Sequence, residues 1–395
     1  MKEDAFIFNA ARLHLAEDNI AALKELAGSG LDWSAVAKKA FTHGVSQFIY
    51  YAFRQHDLTD LLPKELLKRF QIEYYDTEIE YYDTALRNAK MLEAFKEIAS
   101  ILPNKVIPLK GIELIQSLYP NIALRSMCDI DLLVEQEYVE ENWYQLRDFG
   151  YTSSLPLHAV KKSQAHGELP ETCLHLPPLC KKVAIEVHRS LFQDNRFREI
   201  TRQALASSVN VSGNQHKLTQ EMMLIHLCTH FFKHVYYMGV VLRELCDINE
   251  LLRKHEKTLD WHKIEQICVV PELRKEVMTG LSYAHILLDA PVPEQFLAEK
   301  TLKNREAIFS SFLREEVYVK KVRMPLLKRL KSYFVSLRQQ PSPAAKAAYI
   351  FRTFVPEKEW MGMAGKYDVS TAGKLAMAYP RYWLKLVNVY VIGRR

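Results

Sequence analysis

Arg125-Ser126-Met127-Cys128-Asp129-Ile130-Asp131-Leu132-Leu133-Val134 reads as a buried strand carrying two carboxylates, Asp129 and Asp131. Alternate side chains on a strand share a face, so both acids point the same way while Ile130, Leu132 and Val134 pack on the other side. Like charges that close repel unless one is protonated or a cation lies between them. A divalent metal carrying substrate phosphates answers that need.

The neighbouring segments support this reading. Lys105-Val106-Ile107-Pro108-Leu109-Lys110-Gly111 reads as a short strand ending at a Lys-Gly pair. Ile112 to Tyr119 follows with helical spacing of apolar residues, and Pro120-Asn121 breaks it. A strand, a glycine and a helix start aim backbone N–H groups at an anion, with Lys110 beside them. Downstream, Lys182-Val183-Ala184-Ile185-Glu186-Val187-His188 is strand-like, with Glu186 between Ile185 and Val187. As a third acid on an adjacent strand, Glu186 would complete a metal site. That requires the strands at 129–134 and 183–187 to be neighbours in one sheet.

Around this segment the pattern is helical. Residues 1–95 have helical spacing at Asp18–Ala27, a start signal at Asp32-Trp33-Ser34 and a long run from Pro63 to Ile98. Residues 96–215 shift to short strands, including an expected hairpin from Glu171–Leu176 to Lys182–His188. Residues 216–395 turn helical again from Thr219-Gln220-Glu221. The expected class is α+β, a small mixed sheet flanked by N-terminal and C-terminal helical regions.

These residues resemble the DNA polymerase β-like nucleotidyltransferase superfamily, most closely a bacterial branch. That branch reads Leu-Lys-Gly, a helix ending near Tyr-Pro, an Arg, then Asp-Ile-Asp-Leu-Leu-Val, and places its third acid just before a His. Here these are Leu109-Lys110-Gly111, Tyr119-Pro120, Arg125, Asp129–Val134 and Glu186-Val187-His188. The resemblance covers about residues 90 to 250. One difference is local: the superfamily's usual Gly-Ser or Gly-Gly is Gly111-Ile112. The resemblance implies that Asp129, Asp131 and Glu186 hold Mg²⁺ or Mn²⁺, and that Lys110 and the Gly111 amide bind the triphosphate of an NTP. Arg125 would join them or pair with an active-site acid, and Glu186 could instead serve as general base. The acceptor would be a small molecule, an RNA or a protein. The alternative is a degenerate, non-catalytic fold acting as nucleotide sensor or assembly module.

Composition agrees. The 395 residues are 48% hydrophobic and 25% charged, ordinary for a globular protein, and the net charge of +6 suits a polyanionic substrate. No stretch approaches the roughly 20 apolar residues of a membrane span, and Met1-Lys2-Glu3-Asp4 lacks signal-peptide order, so the expected location is cytoplasmic. Six scattered cysteines read as reduced thiols. No Gly-x-Ser-x-Gly elbow, Walker loop or dinucleotide fingerprint is present, which removes the main support for hydrolase and dehydrogenase readings.

His226, His230 and His234 recur every four residues along one helical stripe. No acid stands in the His-Glu-x-x-His position that metalloproteases use, so the stripe is expected to face the cleft or sit in the core. Arg243 and Asp247 are i, i+4 neighbours, expected as an ion pair. Cys173, His175 and Cys180 read as hairpin residues ahead of a metal clip. The basic runs Lys320–Arg323 and Lys328–Lys331 read as a solvated helix face.

Overall fold

The computed structural model describes residues 2–75, 84–151, 183–192, 197–237, 242–313, 334, 337, 343–355, 361 and 371–387. The first strand of the expected hairpin, Cys173, His175, Cys180 and the basic runs at 320–331 lie outside these residues. The protein is α+β, and helices dominate it. Two compact units divide the chain: 1–100, 105–131 and 202–320 form one, and 101–104, 132–201 and 321–395 form the other.

The first unit opens with α1 (Lys2–Ala10), α2 (Glu17–Gly28), α3 (Trp33–Thr42) and α4 (Ser46–Gln55), followed by α5 (Lys64–Tyr75) and α6 (Thr84–Ile101). Asp32 starts α3 by accepting from the Ser34 and Ala35 amides at 2.9 and 3.1 Å, which satisfies two of the four N–H groups a helix start leaves open. The fully buried Phe6 packs edge-on against Trp33 and Phe53, with ring centroids 5.3 and 5.8 Å away, and so ties α1 to α3 and α4.

Strand β1 (Ile107–Pro108) leads into the short helix α7 (Gly111–Ser117), and the chain returns as β2 (Asp129–Leu133). The Leu109 amide donates to the Asp131 carbonyl at 2.9 Å, pairing the two segments. Strands β1, β2 and β3 (Ala184–His188) follow one another in that order in a single sheet, so β3 is the neighbour of β2 as the sequence required. In β2, Ile130 and Leu132 are fully buried.

The second unit contains α8 (Val139–Asp148) and β3, and there the Val134 amide donates to the His188 carbonyl at 2.9 Å. Ile185 and Val187 are buried, while Ala184 and Glu186 are half-buried on the opposite face, the alternation expected of a strand with one apolar side. Later in this unit, the helices Pro343–Phe354 and Ala372–Val387 are joined where Trp383 Nε1 donates to the Phe354 carbonyl at 2.5 Å.

Helix α9 (Arg198–Ala206) precedes a hairpin, β4 (Val209–Ser212) with β5 (Gln215–Lys217), that turns on Gly213 at φ +56°. The rest of the first unit is α10 (Gln220–Tyr237), α11 (Leu242–Lys254), α12 (Trp261–Ile267) and α13 (Pro271–Leu288), with two short helices to residue 311. Helices α10 and α13 meet at Gly280, where an added Cβ would lie 2.9 Å from Cys228 Cβ and 3.0 Å from its Cα. One partner atom is backbone and cannot step aside. Gly280→Ala is therefore expected to destabilise the protein by about 1–3 kcal/mol in urea unfolding.

Helix α11 buries three acids, Glu244, Asp247 and Glu250, and each meets polar neighbours. Glu250 accepts from the Leu13 amide at 3.2 Å and from Asn249 Nδ2 at 3.1 Å. Burial pushes its carboxyl above the ordinary 4.5, and the Leu13 N–H and Arg253 only partly offset this. An acid whose folded pKa is raised favours the fold below its unfolded pKa, and that stability is lost as pH rises through the folded value. Glu250→Gln keeps the acceptor oxygen without the charge. It should raise the urea midpoint at pH 7, with the gain vanishing as pH falls to about 4.5. Among the described residues no helix is long and apolar enough to cross a membrane.

Candidate active site

Asp131 has a relative exposure of 4%, and Asp129, two residues earlier on β2, is half-buried. A carboxylate so buried needs a cation. Lys110 supplies it, with Nζ 3.0 Å from Asp131 Oδ2. Lys110 directly precedes α7 with φ 44° and ψ −110°, a backbone conformation that a residue with a Cβ rarely adopts. Such strain, on the order of 1–3 kcal/mol, persists only where the surroundings over-determine it.

Those surroundings are close. At Gly111 an added Cβ would lie 2.6 Å from Met127 Sδ and 3.1 Å from Arg125 Nη1, so a larger residue would displace one of them. Arg125 Nε donates to both oxygens of Asp247, at 2.9 and 3.0 Å, with both side chains buried. Tyr119 Oη adds a third hydrogen bond to Asp247 at 2.6 Å. Burial alone would pull the Arg125 guanidinium down, but the Asp247 charge outweighs it and holds Arg125 charged. Burial and the same charge raise the Tyr119 phenol well above its ordinary range, so it stays a donor. Arg125 pairs with an acid, but the acid is Asp247 of α11 and none of the three that the motif assigned. Asp247 takes Arg125 rather than its helical neighbour Arg243, whose Nη1 instead donates to Ser126 Oγ at 2.7 Å.

On the other side of Lys110, Nζ lies 3.2 Å from His230 Nε2. An ammonium can only donate, so Nε2 accepts and the ring proton sits on Nδ1. Burial first, then the Lys110 charge, hold His230 well below the usual imidazole range and keep it neutral. Its Nδ1 faces Glu244 Oε1 at 3.5 Å. His230, the middle residue of the stripe, thus borders the Lys110–Asp131 pair, and His226 is buried.

In the second unit, Glu186 and His188, two apart on one face of β3, lie 3.5 Å apart between Oε2 and Nε2. The first unit gathers Lys110, Gly111, Arg125 and Asp131, and adds Tyr119, Glu244 and Asp247, which the motif reading had not assigned to the site. An acid at i, i+4 from an arginine suggests a local partner. Nothing in its spacing points to an arginine 122 positions upstream.

The profile of the uncharacterised nucleotidyltransferase family matches residues 29–289, from the approach to α3 to the end of α13. The chain belongs to this family. The match spans every residue of the candidate site described above, and membership supports a transferase that carries out nucleotidyl transfer. No curated protein and no solved structure matches the chain.

Proposed function

We propose that this nucleotidyltransferase moves an NMP group from an NTP to a hydroxyl or phosphate acceptor with release of pyrophosphate, in the manner of the DNA polymerase β-like superfamily. Asp129, Asp131 and Glu186 would hold one or two Mg²⁺ or Mn²⁺ ions, with His188 beside Glu186. The observation that carries the reading is the buried Asp131 carboxylate, two residues from a second acid on a strand whose sheet neighbour bears Glu186 and His188. An oxygen-rich donor set of this kind fits a hard divalent cation, and the Lys110 ammonium at Asp131 marks where positive charge is needed. Bound divalent ions would supply neutralisation of the triphosphate and a lowered pKa for the acceptor hydroxyl.

The remaining work falls to the chain itself. Lys110, held at Asp131 by an ion pair, passes to a phosphate oxygen when nucleotide arrives, while the Gly111 amide donates to the same phosphate group. Arg125, fixed by Asp247 and Tyr119, packs against Gly111 and sets the Lys110–Gly111 turn, a positioning role. In the alternative to metal ligation, Glu186 instead takes the acceptor proton as general base. Because phosphoryl chemistry is mainly positioning and charge stabilisation, no covalent nucleophile is required.

The test is transfer of label from each of four α-labelled NTPs into cell extract, with pyrophosphate and nucleoside diphosphate measured separately. Labelled acceptor with pyrophosphate supports the reading, whereas nucleoside diphosphate marks a kinase. Nucleotide binding without any product would instead mean the non-catalytic sensor.

A further inference from the structure

We infer that His230, His234 and Glu244 form a second metal site, selective for a zinc-like divalent ion. The i, i+4 spacing of α10 places the two imidazoles 4.3 Å apart between ring centroids. Helix α11 brings Glu244 to them, with Oε1 2.6 Å from His234 Nδ1 and 3.5 Å from His230 Nδ1. One donor atom from each residue lies within 4.8 Å of the others. This is why a search for a local His-Glu-x-x-His pattern does not find the site. The acid comes from the next helix.

A second observation points to a ligand. His234 Nδ1 and Glu244 Oε2 are buried without a hydrogen-bond partner, so the 2.6 Å approach of ring to carboxylate is not aligned as a hydrogen bond. Leaving a buried imidazole nitrogen and carboxylate oxygen unsatisfied is costly, and an ion accepting lone pairs from both removes the cost. Two nitrogens and one oxygen suit Zn²⁺ or Co²⁺, whereas Mg²⁺ prefers oxygen alone. Three protein ligands leave the fourth position of a tetrahedral ion open.

Binding has a consequence for Lys110. A ligating Nδ1 on His230 moves the ring proton to Nε2, which then cannot accept from Lys110 Nζ. The ammonium is left to Asp131. Two positive groups that act on the site, Lys110 on His230 and Arg125 on Glu244, are each matched by an acid of their own, Asp131 and Asp247, while Lys233 also acts on His230.

The experiment uses the full chain freed of metal by chelator dialysis, in excess Mg²⁺. Zn²⁺ is titrated in competition with a chromophoric chelator, and Co²⁺ is followed by its visible absorption. The site predicts about one equivalent of tightly bound Zn²⁺, an intense tetrahedral-type Co²⁺ band and a higher unfolding temperature with Zn²⁺. Glu244→Gln and His234→Ala should each weaken Zn²⁺ by roughly 100-fold or more, while Asp131→Asn leaves it in place. Circular dichroism checks that each variant folds. Should Glu244→Gln unfold, His234→Ala, at a partly exposed side chain, decides. Absence of stoichiometric Zn²⁺, undiminished affinity in His234→Ala, or loss in Asp131→Asn alone would overturn the assignment. The outcome is independent of nucleotidyl transfer.

Discussion

Asp131→Asn is expected to lower nucleotidyl transfer by roughly 10³-fold or more, and to weaken the fold as well. Viewed from the strand alone, removing one of two like charges should relieve repulsion and raise stability. The ion pair reverses that expectation. Lys110 Nζ sits 3.0 Å from Asp131 Oδ2 with both side chains largely buried, so the substitution removes the negative charge that balances a buried ammonium and leaves it the neutral His230 Nε2 as acceptor. Asparagine still offers a carbonyl oxygen, which limits the loss to about 1–3 kcal/mol. Pyrophosphate release and urea unfolding on the same preparation separate the two effects. Turnover like that of the unaltered protein would remove Asp131 from the chemistry, and unchanged stability would show that Lys110 finds another partner.

Asp247→Ala should be the most destabilising single change at the site, by about 3–5 kcal/mol. It leaves the Arg125 guanidinium and the Tyr119 hydroxyl buried without their shared acceptor. Replacing both charges together, as Arg125→Met with Asp247→Leu, should recover much of the loss, because an apolar pair carries no desolvation penalty. Activity should stay low in the double variant all the same, since Arg125 also packs against Gly111 and sets the turn that presents Lys110. Chemical unfolding of the four proteins in the cycle reads the coupling directly. A coupling near zero would mean the pair adds nothing beyond two independent residues.

Short-range order was legible in the sequence. The Asp129, Ile130, Asp131 alternation and the Ile185, Glu186, Val187 alternation each announce a strand with one apolar face, because a period of two needs only local sterics. The helical flanks were legible for the same reason, through caps such as Asp32 and the 3.6-residue spacing. Partner choice was not. Asp247 has a cation at i−4 and takes another 122 residues away, because helix α11 buries that face and solvent-side spacing rules cease to apply. Glu244 and the histidines belong to different helices, and only the packing of α11 on α10 brings them together. Backbone strain was equally hidden. Lys110 reads as an ordinary residue before a glycine, yet it is Lys110, and not Gly111, that takes the positive φ.

The three separated segments of the first unit bear on how the protein is made. Arg12, nearly fully buried, waits for Asp289, 277 residues later, and Arg125 waits for Asp247. Synthesis delivers Arg12 and Arg125 well before the acids they pair with. The buried partners of the first unit thus come from segments that residues 132–201 separate in the sequence. Ion pairs such as Arg12–Asp289 and Arg125–Asp247 give this helical unit contacts of long sequence separation, and such contacts slow folding because the loop between the partners must close first.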